Sequence, residues 1–208
     1  MDAVTNFLLW VHVAGGSLGL ALGFFQLVAT KGNQRHQQLG KWYFTTLLVS
    51  AISAWVLSLL RPNYFLTWVA LLTAFMLVTG KWALHDQQNR KVLVFKWIMT
   101  ACILLLGAML VSFGLFEWTM RQNTFGVVML VFGVLSFLFG FQDYVWLRTK
   151  RQGQNQKIHL QRMTGSYIAA LTAFLVVNNT ILPGILAWLL PTLLLTPLII
   201  YWSKRRIG

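Results

Sequence analysis

Four histidines hold most of the chemical potential of this 208-residue chain. His36, His85 and His159 flank three separate apolar runs at one depth. Imidazoles gathered from different helices are donors that iron or zinc accepts. Zinc would take all three and keep a fourth position for water, with Asp143 at the same level as ligand or base. Iron in a b-type haem would use histidines as axial ligands, with Arg35 or Arg162 on the propionates. His12 stands apart, about five residues or roughly 7 Å from the middle of its own run. An imidazole at that depth requires a partner. Asp86 follows His85 and so points about 100° away from it on a helix, toward the loop.

His12 opens the run H-V-A-G-G-S-L-G-L-A-L-G-F-F-Q. At about 100° per residue, His12, Gly15, Gly16, Gly19, Gly23 and Gln26 share one helical face. Gly15, Gly19 and Gly23 recur every four residues, the spacing that lets two helices approach closely in lipid. That face either packs on a second helix or receives a flat cofactor, with His12 as a contact. Another small-residue face, Gly126, Gly133, Ser136 and Gly140, leads to Asp143. A carboxylate there needs a cation, and Arg162 lies at the matching depth. A further close-packing row runs through Gly165, Ala169 and Ala173, beside Ser166 and Ala170.

The elements that must position these residues follow from composition. The chain is 57% hydrophobic and 10% charged, against roughly 25% charged in soluble domains. A water-exposed surface cannot be built from it, so the expectation is an integral membrane protein. The net charge of +13 sits in short segments between apolar runs, the pattern of membrane orientation. Membrane lipids, and not nucleic acid, are the expected surroundings. The lone Cys102 excludes an intrachain disulfide. The N-terminal M-D-A-V-T-N-F lacks a basic n-region and a cleavage site, as in a retained first span.

Apolar runs of roughly 20 residues cross a bilayer as helices. Ala3–Thr30, Trp42–Leu60, Pro62–Gly80 (continuing to about His85), Trp97–Met120 and Gln122–Gln142 are five such runs. Met163–Ser203 is too long for one crossing and is divided by N-N-T-I-L-P-G at Asn178–Gly184. The expected fold is an all-α bundle of seven transmembrane helices in one domain, 1–208, with Pro191 and Pro197 bending the last helix. Fifteen of the 17 Lys and Arg residues fall in alternate loops and the tail. That predicts the N-terminus outside and the C-terminus in the cytoplasm. Trp10, Trp55, Trp68, Trp118 and Trp188 fall toward one end of the spans, and Trp42, Trp82, Trp97, Trp146 and Trp202 toward the other. Two interfacial belts are expected from them.

Two segments echo each other. G-F-F-Q at Gly23–Gln26 precedes H-Q-Q-L-G-K-W-Y at His36–Tyr43, and G-F-Q at Gly140–Gln142 precedes H-L-Q-R-M-T-G-S-Y at His159–Tyr167. A parallel repeat would relate helices 1–3, within 1–90, to helices 5–7, within 122–206, with helix 4 as connector. The early membrane histidine, the Gly-rich helix ending G-F-F-Q, the H-x-x-x-G-K-W-Y run and the H-L-Q-R-M-T-G-S-Y run also resemble a known family. It is the bacterial domain-of-unknown-function family 2306, of predicted membrane proteins. The resemblance covers helices 1, 2 and 6, with His12, His36 and His159 at the positions that hold it. It implies a multi-pass protein of the bacterial inner membrane and brings no particular activity.

Three functions fit these residues. The leading one is a b-type haem protein of electron transfer, with a quinone or another redox partner. His12, His36, His85, His159, Gly15, Gly19, Gly23 and Arg162 would then surround the cofactor. The second is a zinc-dependent hydrolase of lipid-like substrates, with His36, His85, His159 and Asp143 at the metal. The third is a small-solute transporter, which the three-one-three arrangement, the bent helix 7 and Asn178 with Asn179 suit. No Gly-rich phosphate loop, Ser/His/Asp order or Cys-based metal motif is present.

Overall fold

Where the backbone meets lipid it finds no water to bond, so each crossing segment must satisfy its own N–H and C=O groups as a helix. The computed structural model describes residues 2–61, 63–85, 89–149 and 154–205. They form α1 (Ala3–Val28), α2 (Gln34–Leu60), α3 (Tyr64–Trp82), α4 (Arg90–Thr119), α5 (Phe125–Thr149), α6 (Asn155–Val177) and α7 (Gly184–Arg205). All seven are long and apolar enough to cross a membrane, and the protein is an all-helical, multi-pass membrane protein. Asp86, Lys150, Arg151 and Arg206 lie outside the described residues.

Several helices reach beyond the apolar runs. α2 begins at Gln34 and not Trp42, α4 at Arg90 and not Trp97, α6 at Asn155 and not Met163, and α5 continues past Gln142 to Thr149. Helical bonding does not stop where hydrocarbon ends, so polar turns extend these helices into the interface. Asparagine sets several starts. The Asn33, Asn63 and Asn89 side chains accept the backbone N–H groups of His36, Leu66 and Lys91, each satisfying an orphan donor of a first turn. α3, expected to continue to about His85, ends at Trp82. The Ala83 N–H reaches the Thr79 carbonyl at 2.8 Å and the His85 N–H the Trp82 carbonyl at 3.1 Å, so the chain leaves in a tight turn that ends with His85.

Packing separates two flanking hairpins from a centre. α1 lies along α2 and α4 along α5, while α3 packs on α2 and α6, and α6 on α3 and α7. Half of the α3 membrane segment is buried, against 11% for α1, which puts α3 in the middle. The α4–α5 seam is backbone against backbone. A Cβ on Gly133 would lie 2.8 Å from the Val111 nitrogen, and one on Gly107 2.9 Å from the Phe137 nitrogen. Toward the N-terminal side, Phe65, Phe125, Phe132 and Trp188 form an edge-to-face cluster, with Phe65–Trp188 centroids 4.8 Å apart. Trp188 is therefore core and not belt, as is Trp146 beneath Lys96. Trp10 and Trp42 do face outward. The two halves also pair differently. α1 packs on the helix that follows it, whereas α5 packs on the helix that precedes it and does not lie along α6.

Candidate functional site

His12 finds its partner on α2. Its Nδ1 lies 2.9 Å from the Ser50 carbonyl and 3.0 Å from Ser50 Oγ, while Ser50 Oγ donates to the His12 carbonyl at 3.0 Å. A carbonyl only accepts, so the proton sits on Nδ1 and the lone pair on Nε2. The face below it is closed by protein. A Cβ on Gly15 would meet the Thr46 carbonyl at 2.9 Å, one on Gly19 would meet Leu47 at 3.2 Å, and one on Gly23 would meet Tyr43 at 2.9 Å and press on the Tyr167 ring. These glycines let α1 seat against α2 and α6.

The three other histidines do separate things. His36 stands in the first turn of α2, where its carbonyl accepts from Gln26 Nε2 at 2.7 Å. His85 is exposed and stacks on Trp82, with ring centroids 5.3 Å apart. His159 donates from Nδ1 to the Gly80 carbonyl at 2.8 Å, tying α6 to α3. Among the described residues no group of three or more His, Cys, Asp or Glu side chains could hold a metal ion. The convergence required of His36, His85, His159 and Asp143 for zinc is thus not formed. The physical reason is that a shared depth fixes only one coordinate, and neighbouring helices aim these rings elsewhere.

Asp143 is committed to Arg162. Nη2 of Arg162 donates to Oδ1 at 2.6 Å and to the Phe139 carbonyl at 2.8 Å. The Arg162 side chain is wholly buried between two rings, its guanidinium 4.5 Å from the Phe139 centroid and 5.1 Å from that of Phe75. Gly80 makes this possible, since a Cβ there would lie 2.8 Å from Cβ of Arg162. Lys96, also buried, lies over the Trp146 ring at 4.7 Å and adds a second positive charge near the same carboxylate. Nε and Nη1 of Arg162 have no hydrogen-bond partner among the described residues. Ionisable groups at such depth are costly, and by default they mark functional ground.

Beside this pair lies a cavity of about 220 Å³ between α3, α5, α6 and α7. Leu72, Met76, Phe132 and Phe139 wall it, and Gly165 and Ala169 form its floor. The small-residue row of α6 therefore seats Met76 on one side and opens space on the other. Thr172, Thr192 and Thr196 are among its lining residues. Gln142 and Gln161, joined at 2.7 Å, stand at its basic end. Half-buried Leu135 and Ile199 with exposed Ile200 form its mouth between α5 and α7. Sequence reading passed over Lys96, Phe139, the glutamines and the three threonines. The available signal was Thr192 and Thr196 beside Pro191 and Pro197, polar side chains next to the two prolines inside α7.

A family described as "Predicted membrane protein (DUF2306)" matches residues 9–125, just over half of the chain. The chain belongs to this family. The matched stretch spans α1 from Leu9, all of α2, α3 and α4, and ends at the start of α5, so the H-L-Q-R-M-T-G-S-Y run of α6 lies beyond it. No curated protein and no solved structure matches the chain.

Proposed function

We propose that this member of the DUF2306 family is an intramembrane carrier that takes a small amphiphilic molecule from the lipid phase into the groove between α5, α6 and α7. One observation supports the reading above others, the lining of the groove. Ligand sites are mostly apolar concavities in which a few polar groups fix orientation. Here the walls are mostly aliphatic and aromatic, with three threonines and two glutamines among the lining residues. A strongly hydrated solute would meet too few partners there; an amphiphile would not. α7 supplies a wall able to bend. Pro191 and Pro197 lie inside it and remove two helical bonds on either side of Thr192 and Thr196. The cation distribution supports the N-terminus outside, so the polar end of the groove faces the cytoplasm.

The test is what the protein retains on purification. Organic extraction and mass spectrometry of wild type should recover a lipophilic small molecule in near one-to-one amount, and Thr196→Trp, which fills the groove, should lose it. Equal content in both proteins would end this reading.

A second reading, haem-based electron transfer with a quinone as partner, keeps one observation in its favour. His12 and His159 each donate Nδ1–H to a backbone carbonyl of a neighbouring helix. That leaves Nε2 as the lone-pair nitrogen, the tautomer that metal-ligating histidines use. The visible spectrum decides it. A Soret band that shifts on reduction supports haem, and a colourless protein retaining the groove amphiphile rejects it.

A further inference from the structure

We infer that the amphiphile of the groove is uncharged and is held by a hydrogen bond between the Thr172 hydroxyl and a neutral oxygen of the ligand, a hydroxyl or a carbonyl; the inference rests on the groove being the ligand site.

A threonine inside a helix can satisfy its hydroxyl by returning a hydrogen bond to the carbonyl four residues earlier. Thr73 does so to Val69 at 2.7 Å, Thr79 to Phe75 at 2.7 Å and Thr100 to Lys96 at 2.9 Å. Ser136 of α5 does the same to Phe132 at 2.8 Å. Thr172 of α6 is wholly buried, and its Oγ1 has no hydrogen-bond partner among the described residues. A buried hydroxyl left unpaired has lost its hydration with no return. Thr172 also lines the groove. Gln161, Gly165, Ile168, Ala169 and Thr172 follow one another at helical spacing, so they form one stripe of α6, the stripe that borders the cavity. What the protein does not supply to this hydroxyl, an occupant of the groove does.

Charge decides the kind of oxygen. None of the described residues lining the groove is ionisable, and the polar ones are Gln142, Gln161, Thr172, Thr192 and Thr196. Arg162 and Asp143 are not among them and bond each other at 2.6 Å. A charged head drawn into this space would lose its water and find no counter-charge. A hydroxyl or carbonyl oxygen is satisfied by one threonine, which both donates and accepts. Size narrows the class further. At about 220 Å³ the cavity is smaller than the roughly 300–1,000 Å³ of pockets that enclose a whole drug-sized ligand. It takes one slender chain, with the remainder outside the mouth at Leu135, Ile199 and Ile200. Thr172 lies about 16 Å along α6 from Gln161 at the helical rise, so the oxygen is held within the membrane span, away from the glutamine end.

The experiment compares heads on one chain length. Protein in phosphatidylcholine nanodiscs is titrated with radiolabelled hexadecanol, 2-hexadecanone, hexadecane, hexadecyl sulfate and hexadecyltrimethylammonium. Hexadecanol or the ketone should bind saturably, one per chain, and about threefold to tenfold tighter than hexadecane. The two permanently charged heads should bind no tighter than hexadecane. The tighter of the two neutral oxygen probes identifies a hydroxyl or a carbonyl as the partner. Thr172→Val keeps the shape, removes the hydroxyl and strands no partner. It should cost the neutral oxygen probes about threefold to tenfold and leave hexadecane unchanged. Thr172→Ser returns a hydroxyl and should return the binding. Unchanged hexadecanol and ketone binding in Thr172→Val overturns the role of Thr172. A charged head that binds as tightly as the neutral ones overturns the uncharged ligand, and hexadecane that does so overturns the oxygen. In each of these cases, binding that Thr196→Trp abolishes leaves the carrier reading standing. No saturable binding of any probe overturns the inference and the carrier reading together.

Discussion

α5 meets α4 and α6 in opposite ways. Toward α4 it presents Gly126, Gly133 and Gly140, and the two backbones come so near that a single added carbon would strike main-chain nitrogen at Gly133. Toward α6 it presents Gln142, Phe139 and Asp143, and the helices are joined through side chains. The first arrangement excludes everything between the helices, since packing in lipid is dispersion and close approach. The second holds the helices apart, leaving room for a buried cation, its carboxylate and a groove. Glycine spacing thus marks where this protein is shut, and long polar side chains mark where it is open.

The comparison is most severely tested at the ion pair. Asp143→Ala should destabilise the fold by about 3–5 kcal/mol, because it strands a buried guanidinium. The double change Asp143→Leu with Arg162→Met should recover most of that loss. Reversible unfolding in mixed micelles measures both, and a double variant as unstable as the single one would show that the charges hold the helices by more than pairing. Next in size is the seam. Gly133→Leu should cost about 1–3 kcal/mol by overpacking and exceed Gly19→Leu, since Gly133 faces main chain and Gly19 faces the Leu47 side chain, which can turn aside. The reverse order, read from thermal unfolding, would remove the contrast between the two kinds of contact. Smaller still is the His12 clasp, where Ser50→Ala should cost about 0.6 kcal/mol, as membrane hydrogen bonds do on average. Exposed His85→Ala should fall within about 0.5 kcal/mol of wild type. A large loss at His85 would return it to the site from which its position now removes it.

Seven helices were legible because lipid turns length and apolarity into structure. Their ends were not, because Asn33 and Asn89 start α2 and α4 outside the apolar run. The match of Asp143 to Arg162 was legible because each had few partners at its depth. The arrangement of the histidines was not legible: sequence reports depth, while rotation about a helix axis and the packing around it decide which rings meet. His85 fell beyond the end of α3, so its helical phase had no meaning. Ser50, the answer to the imidazole of His12, is one of two serines in S-A-I-S-A, and nothing local distinguishes it. The groove was invisible because it is bounded by four helices, and Thr172, Thr192 and Thr196 line it only when α6 and α7 stand together.

The order of synthesis follows from this helix pairing. α1 with α2 and α4 with α5 are sequence neighbours joined by short turns, so each hairpin can close as it leaves the insertion machinery. α3 cannot finish so soon. Its principal later partner is α6, and the Gly80 carbonyl must wait for His159, 79 residues further along the chain. Until α6 enters the bilayer, the crevice at Gly80 that seats Arg162 has nothing to hold. Asp143 likewise crosses before Arg162, its hydrogen-bonded partner, has been made, with Lys96 of α4 the cation already near it. Maturation of the centre is therefore a late and largely all-or-none event. A ribosome stalled before α6 would leave two sound hairpins around an unfinished α3, the kind of intermediate that membrane quality control recognises by its exposed polar seam.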